Sequence, residues 1–348
     1  LIGVAGPAAQ AQGMELVAHI DQLSVMGLTE VLGHLPRILR ILGRVKAELR
    51  ARRPAAVICI DGPAFNFRVI RMAHDLGIPV YYHISPKIWA WRQGRVAFIK
   101  KHVRRMLCIL PFEQAFYRRF GYVADYVGNP LVDGIDWPAV EPITPKPRRV
   151  GFLPGSRRKE ISSLLPEFGR ASQDLLARNP DLEFLLFRAP GRDPAELRRL
   201  WPPDVPVTLV EPEERYGRMR SCALLVAASG TVTLEAGLLG VPTVVTYKLS
   251  ALTFAVARRV VKVPYVSLPN LILGEGVLPE LLQADAHGER IAALVQGWLD
   301  DPGILATMRR RLVTLRELLG EPGAPTRAAR LILDDLSALE ALSRKTLL

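Results

Sequence analysis

The sequence predicts an α/β protein built from two doubly wound domains, each with a parallel β-sheet, that face each other across a cleft. Two observations predict this class. Short, almost continuously apolar runs alternate with helix-period segments along nearly the whole chain, which is typical of parallel strands covered on both faces. A segment with four prolines, residues 137–147, interrupts the alternation and resembles an interdomain linker.

The expected strands follow the apolar runs in order, with helices between most of them. Before the linker they are residues 2–4, 56–60, 79–83, 105–109 and 124–127; after it they are residues 150–153, 184–187, 207–210, 223–227 and 243–246. The predicted domains are residues 1–140 and 148–319, and a helical tail at 320–348 is expected to pack back on the first domain. Ligands of such folds bind at the carboxyl ends of the strands.

Composition narrows the function classes. The 348 residues suffice for two domains, and a net charge of +12 predicts an acidic partner such as a phosphorylated substrate or an anionic membrane. The three cysteines lie in or beside apolar runs without CxxC spacing, so neither a disulfide framework nor a zinc site is expected. The charge is not accompanied by a nucleic-acid recognition motif, and nucleic acid is not an expected partner.

A strand, a tight turn and a helix start are predicted around Gly155, Ser156 and Arg157. The free N–H groups of a helix start attract phosphate, and the basic residues that follow would strengthen the attraction. Basic residues in a first turn oppose the helix dipole, which favours a diphosphate site here. The alternative is an ordinary N-cap at Ser156 with a solvated basic turn.

A similar turn is predicted at Ser229, Gly230 and Thr231, which could offer N–H and hydroxyl donors to a phosphate. Glu235, one helical turn later, could accept hydrogen bonds from ribose hydroxyls, although a simple capping turn with a glutamate that the helix dipole favours is the better explanation of this segment alone. Because the sequence has no Asp-x-Asp pair, a metal-bridged diphosphate site has no obvious ligands, and neither a metal nor another cofactor is expected.

Asp61 follows directly on a buried apolar run, at the predicted carboxyl end of a strand. A carboxylate there can take a proton from a substrate hydroxyl as a general base. An aspartate that caps the next helix or forms an Asx turn is an equally good interpretation. Asn66 is either a hydrogen-bonding group of the site or, more simply, a residue of a helix face.

The loop that follows the next strand combines aromatic and cationic residues. Trp89 and Trp91 could form a platform for sugar or acyl groups, while Lys87 and Arg92 could hold a phosphate. The alternative is that the two tryptophans fasten the loop to the core.

These motifs together resemble the lipid-A-disaccharide synthases, which are metal-independent, inverting glycosyltransferases of the GT-B fold with two Rossmann-like domains. The matching segments are residues 3–7, 25–27, 60–66, 85–92, 110–113, 153–157, 228–231 and 265–270. They occur in family order and cover the chain to about residue 319. The Ser-Pro-x-x-Trp-Ala-Trp-Arg and Tyr-Val-Ser-Leu-Pro-Asn motifs are the most specific of them.

The resemblance implies transfer of 2,3-diacylglucosamine from UDP-2,3-diacylglucosamine to 2,3-diacylglucosamine 1-phosphate, with UDP as the second product. Asp61 and Arg157 are the implied catalytic residues. The implied donor-binding residues are Gly155, Ser156, Arg157, Ser229, Gly230, Thr231, Glu235 and Asn270, and the implied acceptor-binding residues are Asn66, Ser85, Lys87, Trp89, Trp91, Arg92 and Asn129.

The chain departs from the family pattern in two places. It starts downstream of the family's first strand and Gly-Glu-Ala-Ser-Gly-Asp loop, and it has Gly128-Asn129-Pro130 where the family usually has Gly-His-Pro. The role of that histidine does not carry over, although Asn129 could still donate a hydrogen bond. Two alternatives therefore stay open: another UDP-sugar enzyme such as an epimerase, and an inactive nucleotide- or lipid-binding homologue.

Lipid substrates imply contact with the cytoplasmic face of the inner membrane of a Gram-negative-type bacterium. Residues 23–53 contain more apolar side chains than one buried stripe of a helix can hold, and arginines are interleaved with them. This combination suits contact with an anionic bilayer surface. The expected membrane contacts are Val25, Met26, Leu28, Arg37, Arg40 and Arg44. A core helix with a basic solvent face is the alternative. A homodimer is a possible assembly.

Overall fold

The computed structural model describes residues 1–23 and 28–346, with side chains described outside 28–34, 251–252 and 343–346. The strands are β1 Ile2–Ala5, β2 Glu15–His19, β3 Val57–Ile60, β4 Val80–His83, β5 Arg105–Cys108, β6 Asp125–Tyr126, β7 Lys146–Leu153, β8 Glu183–Phe187, β9 Thr208–Val210, β10 Cys222–Ala228, β11 Thr243–Tyr247 and β12 Glu280–Leu282. The helices are α1 Pro7–Ala11, α2 Leu28–Arg52, α3 Pro63–Asp75, α4 Ile88–Trp91, α5 Val96–His102, α6 Pro111–Arg118, α7 Pro130–Asp133, α8 Trp137–Val140, α9 Arg158–Arg178, α10 Pro194–Leu200, α11 Arg215–Arg220, α12 Thr231–Leu238, α13 Ala251–Val260, α14 Leu268–Leu273, α15 Gly288–Asp300, α16 Pro302–Leu319 and α17 Ala324–Thr346.

The first of two compact units contains residues 1–109, 113–127 and 325–346. Its main sheet has the order β3-β4-β5-β6, and β1 and β2 form a separate parallel pair. All neighbours in the main sheet are parallel, with Ile60 opposite His83 and His83 opposite Leu107. Their carboxyl ends therefore lie at one edge of the sheet. Helix α17 packs on this unit through Ala328 and Ile332, which join a buried cluster with Tyr81.

The second unit contains residues 110–112 and 128–324, and its parallel sheet has the order β12-β11-β10-β7-β8-β9. Every residue of β10 is buried, as expected for a central strand with helices on both faces. The neighbouring strand β7 carries Gly151, where a Cβ atom would approach the Leu225 side chain to 2.5 Å. Only glycine fits this close contact between the two central strands.

The proline-rich segment does not separate the two units, contrary to the prediction. Residues 128–147 belong to the second unit, and the chain crosses between units at Val127 and Gly128. Local contacts explain the difference: the Trp137 indole N–H donates to the Val132 carbonyl at 2.9 Å, and the Arg316 guanidinium lies 3.8 Å from the Trp137 ring centre. The segment is therefore part of the second unit, with Pro138 in the first turn of α8 and Pro147 in strand β7, instead of forming a linker.

Candidate active site

The start of helix α9 is built around Gly155, which has a positive φ of 101°. A Cβ atom there would also lie 2.7 Å from a carboxylate oxygen of Glu160 and 3.3 Å from the Ala228 Cβ. Both the backbone conformation and the lack of space require glycine. The turn consequently brings the α9 start close to the end of strand β10.

Arg157, and not Ser156, is the N-cap of α9, so the alternative of a Ser156 cap is wrong. The carboxylate of Glu160 accepts hydrogen bonds from the Arg157 backbone N–H at 3.3 Å and from its guanidinium at 2.7 Å. Glu160 lies three residues after the N-cap, and from this position its side chain can reach back and accept the backbone N–H of Arg157.

The basic first turn has carboxylate partners, so its composition alone does not demand a bound anion. Arg157 pairs with Glu160, and Arg158 lies 3.4 Å from the Glu196 carboxylate. The Arg157 side chain is nevertheless 62% exposed, which leaves guanidinium N–H groups directed at solvent. These groups are available to a phosphate at the helix start.

A second helix start lies beside the first because β7 and β10 are adjacent, with Leu153 opposite Ala227. Gly230 and Thr231 are exposed at the beginning of α12. The Ser229 backbone N–H already donates to the Thr246 carbonyl at 2.8 Å. Of the two donor groups of Ser229, only the hydroxyl therefore remains available to a phosphate. Two helix starts on one sheet edge provide converging backbone N–H groups for an anion.

Lys248 is a residue that the sequence reading missed. It follows β11 and, with Lys159 and Ser163 of α9, lines a pocket of about 410 Å³ on the second unit. Its ammonium group lies 2.8 Å from the Glu167 carboxylate. Although burial raises the pKa of Glu167, hydrogen bonds from Lys248 and the Gly288 backbone lower it overall.

Glu235 is largely buried and belongs to a structural cluster. One of its carboxylate oxygens accepts hydrogen bonds from the Arg215 guanidinium at 3.2 Å and from the Tyr216 hydroxyl at 3.1 Å. These partners hold the carboxylate in place. Contact with a ribose stays a prediction.

Asn270 is fully buried, and its contact with the donor stays a prediction. Its amide donates to the Leu278 carbonyl at 2.8 Å and to Glu280 at 3.0 Å, and its oxygen accepts from the Leu278 backbone N–H at 2.9 Å. Glu280 in turn accepts from the Ser267 N–H at 2.9 Å. Asn270 therefore fixes the 265–270 loop to strand β12, and sequence spacing gives no signal of these partners.

Asp61 lies at the carboxyl end of β3 with an exposed side chain and a left-handed backbone, φ 45°. It does not cap α3, because the N-cap is Gly62, also left-handed with φ 49°. The capping alternative is therefore wrong. A non-glycine residue in this conformation is uncommon and is held there by its surroundings.

Three hydrogen bonds hold the Asp61 backbone. Its N–H donates to the His83 carbonyl at 3.0 Å, and its carbonyl accepts from the Tyr82 hydroxyl at 2.8 Å and from the Asn66 amide at 2.7 Å. The Asn66 amide also donates to the Ile60 carbonyl at 3.2 Å. Asn66 thus supports the Asp61 turn, and its contact with the acceptor stays a prediction.

Tyr82 and His83 were not predicted as site residues, because they end an apolar run that reads as core. Burial raises the pKa of the Tyr82 phenol, which therefore remains a hydrogen-bond donor. Burial also lowers the pKa of His83, and its Nδ1 atom is buried without a hydrogen-bond partner. The lowered pKa favours the neutral form of the His83 imidazole.

The aromatic loop divides into a buried and an exposed part. Ser85 is buried with its hydroxyl 2.9 Å from that of Tyr117, and the buried Trp89 indole donates to Glu113 at 3.0 Å. These two residues fasten the loop, and their contact with an acceptor stays a prediction. Trp91 is 45% exposed, and the Arg92 guanidinium lies 4.0 Å from its ring centre.

Lys87 is also exposed, so the exposed part of the loop consists of Lys87, Trp91 and Arg92. Asn129 is buried at the start of α7, where its side-chain oxygen accepts from the Leu131 N–H at 3.0 Å. Asn129 is therefore the N-cap of α7, and its contact with the acceptor stays a prediction.

The described residues contain no group of three or more His, Cys, Asp or Glu side chains arranged to hold a metal ion. Among the same residues, no helix is both long and apolar enough to cross a bilayer.

Known proteins share this architecture. The UDP-GlcNAc 2-epimerase from Neisseria meningitidis bound to UDP-GlcNAc superposes with a TM-score of 0.58 at 13% identity, covering 97% of this chain and 99% of its own. The spinosyn forosaminyltransferase SpnP gives 0.57 at 14% identity, covering 97% and 91%. These likenesses confirm the predicted α/β fold of GT-B type.

Sequence relatives are more specific. The family model for lipid-A-disaccharide synthetase matches residues 1–301. The lipid-A-disaccharide synthase of Anaeromyxobacter dehalogenans (strain 2CP-C) is 44% identical and covers 95% of this chain and 88% of its own length. That of Geobacter sulfurreducens is 37% identical and covers 96% and 89%. The predicted resemblance is confirmed, and the chain belongs to the lipid-A-disaccharide synthase family of glycosyltransferases.

Proposed function

We propose that the chain transfers 2,3-diacylglucosamine from UDP-2,3-diacylglucosamine to 2,3-diacylglucosamine 1-phosphate without a metal ion and with inversion at the anomeric carbon. The products are a β(1→6)-linked disaccharide 1-phosphate and UDP. The observation that carries the proposal is the family match over residues 1–301, together with relatives of the same name that are up to 44% identical. In this assignment the first domain binds the acceptor and the second binds the donor.

The donor diphosphate binds at the adjacent starts of α9 and α12. Gly155 lets the phosphate approach the backbone, Arg157 supplies its exposed guanidinium, and the hydroxyls of Ser156, Ser229 and Thr231 surround it. Gly230 contributes its backbone N–H group. The two helix dipoles and Arg157 supply positive charge that a metal ion would otherwise provide.

Asp61 acts as the general base. It accepts the proton of the acceptor hydroxyl as that oxygen attacks the anomeric carbon in line with the departing UDP. Arg157 and the helix N–H groups stabilise the negative charge that develops on the diphosphate. Exposed Lys87 and Arg92 bind the acceptor phosphate, and Trp91 packs against its sugar or acyl groups.

The assay that tests this function incubates the purified chain with both lipid substrates and a chelator. We expect the disaccharide 1-phosphate by mass spectrometry and a β linkage by NMR. Conversion of the UDP-sugar to an epimer without disaccharide would instead support an epimerase. UDP binding with no product of either kind would support an inactive nucleotide-binding homologue.

The proposed membrane contact on the first unit lies on helix α2. Leu35 and Leu39 are 41% and 55% exposed, whereas Ile41 and Leu42 are buried, so α2 packs with one face and presents apolar side chains on another. Arg37, Arg40 and Arg44 are exposed among them. Val25 and Met26 lie outside the described residues, and the side chain of Leu28 is not described; their contact stays a prediction, as does a homodimer.

Vesicle sedimentation tests the α2 contact. Leu35→Ser/Leu39→Ser should reduce binding to anionic vesicles several-fold, because two exposed leucines no longer enter the interface. The wild type should dissociate as salt increases, since the arginines are screened. Undiminished binding of the variant would place the contact elsewhere.

A further inference from the structure

Helix α13, together with residues 261 and 262 that follow it, forms an unusual surface, here called the α13 face. The helix is capped by Ser250, whose hydroxyl accepts from the Thr253 N–H at 3.3 Å. Val256, Val260 and Val261 are 52%, 38% and 40% exposed. Val256 and Val260 are four residues apart and so lie on the same side of the helix. A helix of a globular domain normally buries such a stripe.

The charge of this region is one-sided. No aspartate or glutamate occurs between Glu235 and Glu275. Arg258, Arg259 and Lys262 are exposed, and none of the ion pairs in the described part of the chain involves them. Two exposed arginines elsewhere in the second unit do have acidic partners: Arg218 pairs with Glu214, and Arg311 pairs with Glu275. The α13 face is therefore both apolar and cationic without local neutralisation.

We propose that the α13 face binds an anionic lipid bilayer and is a membrane contact on the second unit, separate from α2. Valines that enter the headgroup boundary would be removed from water, and the three cations would meet lipid phosphates. A nucleic-acid ligand would match the charge but not the exposed valines. In a symmetric pair of copies, two α13 faces would meet each other. Because this face carries cations and no acidic residue, neither copy could neutralise the charge of the other.

This contact is separate from the transfer reaction. It would attach the donor-binding unit directly to the bilayer, in which the acyl chains of the proposed donor are embedded. With α2 on the first unit, each unit has a separate bilayer contact. Substitutions on one of these surfaces leave the other unchanged, so the contributions of α2 and of the α13 face to bilayer binding can be measured separately.

Sedimentation with vesicles of phosphatidylglycerol and phosphatidylcholine tests the proposal, in the absence of sugar nucleotides. Val256→Ser/Val260→Ser should lower the partition coefficient roughly tenfold. Arg258→Gln/Arg259→Gln/Lys262→Gln should lower it roughly 100-fold at low salt, because each cation near an anionic surface is worth about a fivefold effect. Matched controls on the same unit are Val313→Ser, at a 58% exposed valine, and Arg198→Gln/Arg199→Gln on α10.

The proposal holds if both α13 variants lose vesicle binding, the controls retain it and all variants keep the wild-type affinity for UDP. Equal losses in the α13 variants and the matched controls would show a general charge or hydrophobicity effect and overturn it. Unchanged vesicle binding with a shifted oligomeric state in analytical ultracentrifugation would assign the face to a second copy and also overturn it. Neither failure bears on glycosyl transfer, which the substrate assay measures separately.

Discussion

The backbone of Asp61 is the clearest sign of a constrained site in the first unit. A non-glycine residue in the left-handed region costs about 1–3 kcal/mol and persists only where neighbours hold it. Here Tyr82, Asn66 and the His83 carbonyl supply those hydrogen bonds. We infer that Tyr82 and Asn66 are positioning residues, because their hydrogen bonds to the Asp61 backbone set the direction of the carboxylate.

Removing the Tyr82 hydroxyl tests this role. Tyr82→Phe should lower kcat about tenfold while the affinity for UDP stays unchanged, because a lost hydrogen bond of about 1 kcal/mol lets the turn relax. Tyr122→Phe is the matched control, since that buried hydroxyl donates to the Val103 carbonyl at 3.1 Å in the same unit. Equal losses of kcat in both variants would indicate a general effect on folding and contradict a specific role of Tyr82.

In the second unit, Arg157 is the residue that we propose binds the donor diphosphate. Arg157→Ala should weaken UDP binding by about 1.5–3 kcal/mol, the typical value of a charge-assisted hydrogen bond, and should lower turnover as well. The helix cap survives in this variant, because Glu160 still accepts the backbone N–H of residue 157. Arg158→Ala, at a side chain that is 81% exposed, serves as the control. An unchanged dissociation constant for UDP, measured by calorimetry, would mean that the diphosphate lies elsewhere.

At the scale of elements, helix α17 is fastened to the first unit by Asp335. This carboxylate accepts from the Tyr81 hydroxyl at 2.6 Å and from the guanidinium groups of Arg104 and Arg105. Although burial raises the pKa of Asp335, hydrogen bonds from Arg104, Tyr81 and Arg105 lower it to about 2. A lowered carboxylate pKa contributes stability above the unfolded-state value near 4, and the contribution is lost as pH falls toward 2.

Thermal unfolding between pH 2 and 5 tests the α17 contact. Asp335→Asn should lose about 1.5–3 kcal/mol at pH 7 and show a weaker loss of Tm on acidification than the wild type, since its charge is already absent. The exposed neighbour permits a control, Asp334→Asn, which should behave like the wild type. If the two variants have the same Tm profile, the Asp335 cluster does not stabilise the unit.

At the scale of the whole molecule, most of the central strands could be predicted from the sequence. Short, continuous apolar runs such as 222–228 between helix-period segments are typical of buried parallel strands. The sequence-based prediction missed β2 Glu15–His19 and β12 Glu280–Leu282, where polar residues leave only short apolar runs. It also located the turns at Gly155, Gly230 and Asp61. Short-range patterns of glycine, charge and hydrophobicity carry this information.

What the sequence did not reveal is which polar side chains meet. Asn66, Glu235 and Asn270 lie in the recognised motifs, but their hydrogen-bond partners are up to 20 residues away along the chain. Motif membership marks these residues as important without distinguishing a ligand contact from support of the backbone. The structure adds the protein partners of Asn66 and Asn270, whose side-chain amides donate to groups of the same unit.

The central claim is that Asp61 removes the proton from the acceptor hydroxyl while the donor diphosphate is bound by the second unit. Its most direct test is Asp61→Asn, with disaccharide formation and UDP affinity measured on the same preparation. We expect kcat to fall by about 10²–10⁴, the usual contribution of a general base, with an unchanged dissociation constant for UDP. Wild-type turnover in this variant would contradict the claim and remove Asp61 from the chemistry.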